Sequence, residues 1–271
     1  MSFIQENKIE LNIGLKKEYR IIHISDVHAS TFSEDDSDEN KKEALKAEDI
    51  WQKQRTWFAD KFHEHYDESH MIPSKQCLIN LVDYINKEKP DAALFSGDII
   101  DYYSKSNYSM LVNELKRVEC PFLFSCGNHE IPPQRYKEII GSDNGFSLID
   151  FDEFKIVSLD NSSKEVTIET LTSLKKELED NKPIIIAIHI PISTDHNKEE
   201  MSNLDPYFIM TKEEANSISK EFIDLLVNNK NIKAILCGHI HGYHQSYFAE
   251  SKPQITASSG LIGWVNIITI K

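Results

Sequence analysis

The chain has 271 residues, 40% of them hydrophobic, with 30 basic against 44 acidic side chains and a formal net charge of -14. That length and apolar content suffice for a substantial core and exclude a fibre, a disulfide scaffold and a disordered chain. The negative field repels polyanions at long range, which disfavours nucleic-acid polymers and anionic membranes as partners and leaves small phosphorylated molecules compatible.

Residues 1–14 hold no apolar run of signal-peptide length, and the longest apolar stretch, at 184–188, is too short to cross a bilayer. The first β-branched run predicts a buried strand at 20–25. A charged segment follows at 31–73. It reads as an acidic loop, opening with SEDDSDENKKE, and then a helix over 44–65 carrying Ile50, Trp51, Trp57, Phe58 and Phe62. Those aromatics need burial. A surface helix is the commoner arrangement for such a segment, and a cap over a site is the alternative.

Apolar residues at helical spacing (Leu78, Leu81, Val82, Ile85) then predict a helix at 77–86. A strand at 92–96, a helix at 110–118, strands at 122–126 and 154–159 and a helix at 168–178 come next. A strand at 184–188, a helix at 213–227 and a strand at 234–237 complete the alternation, which implies an α/β fold. Beyond residue 246, short strand-like pieces separated by Pro253, Gly260 and Gly263 predict hairpins without helices. The sheet is therefore mixed, or two sheets pack together. No repeat or linker divides the chain, so 1–271 reads as one domain with a helical insertion. Cys77, Cys120, Cys126 and Cys237 form no CxxC pair and read as reduced thiols of a soluble cytoplasmic protein.

Polar motifs follow five of the strands. They are Asp26 and His28 (DVH); Gly97, Asp98 and Asp101 (GDIID); Gly127, Asn128, His129 and Glu130 (GNHE); His189; and Gly238, His239 and His241 (GHIH). Strand ends of this kind are where α/β sheets bind ligands, and the glycines fit sharp turns beside an ion or substrate. Carboxylates, imidazoles and one carboxamide without a thiolate suit Mn, Fe, Zn, Co or Ni. Seven candidate ligands are too many for one tetrahedral ion and about right for two ions sharing a carboxylate. Two ions roughly 3.5–4 Å apart can hold a phosphate and lower the pKa of a bridging water towards about 7.

The ordered series DxH, GDxxD, GNH(E/D), H and GHxH, from Asp26 to His241, resembles the calcineurin-like metallophosphoesterase superfamily and its cyclic-nucleotide phosphodiesterase branch. The resemblance implies a β-sandwich of two mixed sheets flanked by helices on both faces. It also implies two divalent or trivalent metal ions (Mn, Fe, Zn or similar). Asp26, His28 and His241 would hold the first ion, Asn128, His189 and His239 the second, and Asp98 would bridge them. His129 matches the family histidine that contacts phosphate and protonates the leaving group. Asp101 would orient an imidazole from behind, although a helix N-cap is its other reading. Glu130 would hold backbone or His129. The implied reaction is attack of a metal-bridging hydroxide on a small phosphate ester, a phosphodiester in preference to a monoester.

Three other readings compete. A protein Ser/Thr phosphatase would carry an arginine where Tyr102 and Tyr103 stand, and Arg135 lies five residues after Glu130. A nuclease needs a basic track. A catalytically silent scaffold of the same fold would have lost ligands. His28 to Gly97 is longer than the family usually needs, which leaves the substrate class open. Tyr102, Tyr103, Tyr207 and Phe208 either stack on a substrate ring or cover the core. His63, His65 and His70 read as a solvated helix end rather than a third metal site, and His23 as structural. His244 reads equally as a surface histidine or a substrate contact. Cys126 and Cys237 read as fillers below turns.

Overall fold

In the computed structural model, which describes residues 3–130, 138–139, 144–205 and 208–271, most strands join two mixed sheets. The first sheet has the order β1 (Gln5–Leu11), β13 (Trp264–Ile270), β2 (Tyr19–Ile24), β3 (Ala92–Phe95), β4 (Phe122–Phe124). The second has the order β11 (His244–Ala249), β12 (Lys252–Thr256), β10 (Ile232–Cys237), β7 (Ile184–Ala187), β6 (Lys155–Leu159), β5 (Phe146–Asp150). A short parallel pair, β8 (Ile192–Ser193) and β9 (Met210–Thr211), lies apart. Strands β2, β3 and β4 run parallel, as do β6, β7, β10 and β12, so two blocks of C-terminal strand ends are formed.

Period-two alternation explains why the strands read as unbroken apolar runs: both faces are buried. Ile21, Leu94 and Leu123 of the first sheet meet Ile156, Ile185 and Leu236 of the second in a central core. Their neighbours Ile22, Ile24 and Phe95 face outward onto α1 (Asp38–Phe62), α2 (Ser74–Glu88) and α3 (Lys105–Leu115). Val157, Ile186 and Ile235 face the other way onto α4 (Ile168–Glu177) and α6 (Ser217–Asn228). Helices therefore flank both outer faces, as the resemblance implies. No helix among the described residues is long and apolar enough to cross a membrane.

Several boundaries differ from the sequence reading. Helix α1 begins at Asp38, inside the acidic run read as loop, because Ser37 accepts from Asn40 N at 3.2 Å and Asp38 and Glu39 suit the positive helix start. Helix α3 begins at Lys105 under a Ser104 cap, five residues before its apolar spacing shows. Strands β1 and β5 and the short α5 (Lys198–Leu204) were not expected. β1 is an edge strand that buries only Ile9 and Leu11, so polar residues dominate its composition.

Helix α2 has Pro73 at its N-cap and no side-chain cap of its own. The Glu48 carboxylate of α1 supplies one, accepting from Ser74 N at 3.0 and 3.1 Å and from the Ser74 hydroxyl. Fully buried Arg55 lies 3.8 Å from the same carboxylate. These contacts moor α1 to α2 in the first sheet's helical layer.

Candidate metal centre

The loops leaving β2, β3 and β4 in one sheet and β7 and β10 in the other meet at a single end of the sandwich. The first two are zipped together: Asp26 N donates to Gly97 O at 3.0 Å, and Val27 N and His28 N both donate to Asp98 O at 2.9 Å. Across the sheets, His239 N donates to Asp26 Oδ2 at 2.9 Å, and within the second sheet Gly238 N donates to His189 O at 3.0 Å. Asp26, His28, Asp98, His239 and His241 all have left-handed backbones, φ 48–75°. Each such residue costs on the order of 1–3 kcal/mol, a strain that clusters where function requires it. A Cβ on Gly127 would lie 2.1 Å from Asp98 Oδ1, and one on Gly97 2.4 Å from His189 Nδ1, so both turns demand glycine.

The seven predicted ligands converge. Asp26, His28, Asp98 and His241 form one group able to hold a cation, and Asp98, His189 and His239 a second, with ligand atoms within 4.8 Å of one another in each. Asp98 is common to both. His189 Nδ1 lies 2.7 Å from the Ser96 carbonyl, which only accepts, so Nδ1 carries a proton. The other nitrogen, Nε2, then faces Asp98 Oδ2 at 3.2 Å, Asn128 Oδ1 at 3.0 Å and His239 Nδ1 at 3.1 Å. His28 repeats the pattern: Nδ1 is 3.2 Å from Asp101 Oδ1, and Nε2 faces His241 Nε2 at 3.0 Å. His241 Nε2 is in turn 3.4 Å from Asp26 Oδ1.

Acceptors thus point at acceptors, and positive charge is what reconciles them. Burial opposes an imidazolium at His189, but the Asp98 carboxylate outweighs it and lifts the pKa to about 9. Burial likewise opposes ionised Asp98, yet His189 and then His28 hold it well below the usual carboxylate range. A set of nitrogen and oxygen donors so placed fits borderline divalent ions.

Two acids lie behind the ligands. Asp101 faces His28, and its Oδ1 is also 3.2 Å from His129 Nδ1. Glu130 is buried and accepts from the backbone of Ile99 and, at 2.8 Å, from Gly127 N, tying the GDIID turn to the GNHE turn. Burial, aided by the Asp98 charge, pushes its carboxyl up to about 8.

Residues 19–243 match the family model for calcineurin-like phosphoesterases. The chain belongs to that family. It is 29% identical over 184 residues to a "probable glycerophosphodiester phosphodiesterase" of Arcobacter nitrofigilis, covering 61% of this chain and 63% of that one. It is 26% identical over 238 residues to a "probable cyclic nucleotide phosphodiesterase" of Pseudoalteromonas sp., covering 76% and 84%. A dimetal phosphatase from Danio rerio shares the fold with TM-score 0.57 at 12% identity, covering 90% of this chain and 88% of that one.

In this calcineurin-like phosphoesterase helix α1 lies against the ligand imidazoles rather than on a plain surface. The Trp51 ring stacks on His28 with centroids 3.7 Å apart, and Phe58 meets His241 edge-on at 4.3 Å. The two positions are seven apart on one helical face, a signal present in the sequence but not tied there to a partner. A cavity of about 250 Å³ opens beside the ligands, walled by Trp57, Phe58, Lys61, His129 and Phe208. Trp51, Phe58 and Lys61 are the residues that sequence reasoning left without a role.

Tyr102 and Tyr103 do not line that cavity: Tyr102 packs on the first core layer, and Tyr103 lies exposed against Tyr108. Phe208 does line it. Arg135, Tyr207 and the His70 side chain lie outside the described residues. His63 and His65 are exposed and enter no metal-type group among the described residues. His23 is buried with Nε2 2.6 Å from Ser96 Oγ, and His244 Nε2 lies 2.9 Å from Glu200, away from the cavity. Cys126 and Cys237 are buried beneath their turns.

Proposed function

We propose that the protein is a dinuclear metal-dependent phosphodiesterase acting on a small phosphodiester that carries a planar organic group. The observation that carries this reading is the double convergence of acceptors on Asp98. Asp26, His28 and His241 with Asp98 would hold one ion, and Asn128, His189 and His239 with Asp98 the other. The donor set admits Mn, Fe, Zn or similar metals. When bound, such a pair supplies Lewis acidity to a phosphoryl oxygen and to the attacking water.

The chain's own groups supply the rest. His129 Nδ1 is held by the Asp101 carbonyl at 2.9 Å, which leaves Nε2 to deliver a proton to the departing oxygen. Partial burial works against its imidazolium, but the Asp101 hydrogen bond and the Asp98 charge prevail and raise its pKa to about 9. Trp57 and Phe208 expose 56% and 53% of their surface at the cavity wall, enough to stack on a flat group. Beside the His129 imidazolium and the ligand Asp98, the wall adds one lysine, Lys61, and one carboxylate, Asp205, and so little further net charge, which suits a diester monoanion better than a monoester dianion. The names of the relatives point the same way.

The test is reconstitution with Mn²⁺, Zn²⁺ or Fe²⁺, metal analysis, and turnover of bis-p-nitrophenyl phosphate, p-nitrophenyl phosphate and a 3′,5′-cyclic nucleotide. Two ions per chain with diester turnover supports the reading. Preferential turnover of the monoester would make the enzyme a phosphomonoesterase, and failure to bind metal would leave a silent scaffold.

A further inference from the structure

We infer that Trp51, from the inserted helix, is a positioning residue that anchors one of the two metal sites by fixing His28 through Asp101. The inference rests on the dinuclear reading above.

The two imidazoles at the heart of the centre are anchored differently. His189 is held by a main-chain carbonyl at the end of an interior strand, Ser96 O at 2.7 Å, and among the described residues no hydrogen bond or ring contact joins it to α1. His28 is held by a side chain, Asp101, whose Oδ1 is shared among three donors: His28 Nδ1 at 3.2 Å, His129 Nδ1 at 3.2 Å and Trp51 Nε1 at 2.7 Å. The indole contact is the shortest of the three. The same indole lies flat on His28, at an interplanar angle of 21°, and is itself only 8% exposed.

One residue therefore fixes both the ring plane of His28 and the carboxylate that sets its tautomer. Without the indole N–H, Asp101 Oδ1 keeps its two imidazole donors and loses its shortest contact. The partner imidazole His241 is also walled by the insertion, through Phe58. The site built on Asp26, His28 and His241 thus depends on α1, and the site built on Asn128, His189 and His239 does not. Partners of this kind behind a ligand typically change metal affinity about 10–100-fold when removed.

The experiment titrates chelator-stripped full-length protein with Co²⁺, followed by calorimetry and by the visible absorbance of the bound ion. The variants are Trp51→Phe, which keeps a ring on His28 but lacks the N–H donor, Asp101→Asn, and the double variant. Leu45→Ala, on the exposed side of the same helix, is the control. The expected result is two binding phases in the wild type and in the control. In Trp51→Phe one phase weakens about 10–100-fold and changes its spectrum while the other moves less than about 2-fold. Adding Trp51→Phe to Asp101→Asn should then produce little further change, because the tryptophan acts through that carboxylate. Equal weakening of both phases, no change in either, or full additivity with Asp101→Asn would overturn the inference. A wild type that binds fewer than two ions would overturn the dinuclear reading itself and this inference with it.

Discussion

The carbonyl oxygen of Asp101 lies 2.9 Å from Nδ1 of His129, and the carboxylate of the same residue lies 3.2 Å from that nitrogen. One residue therefore grips the imidazole from backbone and side chain together. Nδ1 is committed, and the ring has one remaining nitrogen with which to exchange a proton. His129→Ala should keep both metals, because His129 belongs to neither ligand group built on Asp98. It should slow hydrolysis about 10²–10⁴-fold for an alkoxide leaving group and far less for p-nitrophenolate. Metal analysis together with kcat on both esters checks this, and equal losses on the two would remove the proton-donor role.

Gly127→Ala should cost the metal centre rather than the fold. The new methyl carbon would occupy the position of Asp98 Oδ1, 2.1 Å away, and displace the carboxylate common to both ligand groups. Bound metal should fall below one ion per chain, with activity lost in proportion. Gly14→Ala is the comparison: φ is +85° there but nothing lies within 4 Å, so only about 1 kcal/mol of backbone strain is expected, with full metal content. A metal-replete Gly127→Ala protein would count against the placement of Asp98.

Trp57→Ala and Phe208→Ala should separate substrates by shape. Stacking of a base on an aromatic ring is worth about 1–3 kcal/mol, so KM for a cyclic nucleotide should rise about 5–100-fold. KM for a glycerophosphodiester, which has no flat group, should stay within about 2-fold. Parallel changes for both substrates would mean that these rings shape the cavity without reading the substrate.

Glu48→Ala should destabilise the protein more than an ordinary cap deletion. It removes the side-chain cap that Glu48 supplies at the start of α2 and leaves buried Arg55 without that carboxylate. Cap loss alone costs about 0.5–2 kcal/mol, whereas stranding a buried charge costs about 3–5 kcal/mol. Denaturant unfolding distinguishes the two ranges, and the double variant Glu48→Ala/Arg55→Met should recover much of the loss.

Metal removal should make stability fall with rising pH. In stripped protein the folded-state pKa of His189 is raised from 6.5 to about 9. Its protonation stabilises the fold fully below about pH 6.5, and that contribution is lost as pH climbs to about 9. Metal-loaded protein should lose the His189 share of this dependence, since the cation replaces that proton. Thermal midpoints at pH 6 and 9, with and without chelator, give the comparison; identical profiles would contradict it.

Much of the centre was legible in advance because ligand chemistry constrains residue type and position together. Asp26, Asp98, Asn128, His189 and His239 each follow a short apolar run, and that placement is visible without coordinates. The left-handed backbones at Asp26, His28, Asp98, His239 and His241 were not visible, since only the glycines beside them advertise a sharp turn. Strand β1 escaped because an edge position lets a strand be mostly polar.

By itself the sequence determined which atoms could bind metal and that strand ends would carry them, because spacing after a strand sets where a side chain emerges. It also called for burial of the helix's aromatics; Trp57 stays 56% exposed, whereas Trp51 and Phe58 are buried. Only the tertiary structure decided what they are buried against. Helical periodicity specifies that a face must leave water and says nothing of its partner. The long-range fold brings His28 and His241, 213 positions apart, to 3.0 Å and sets that helix over both.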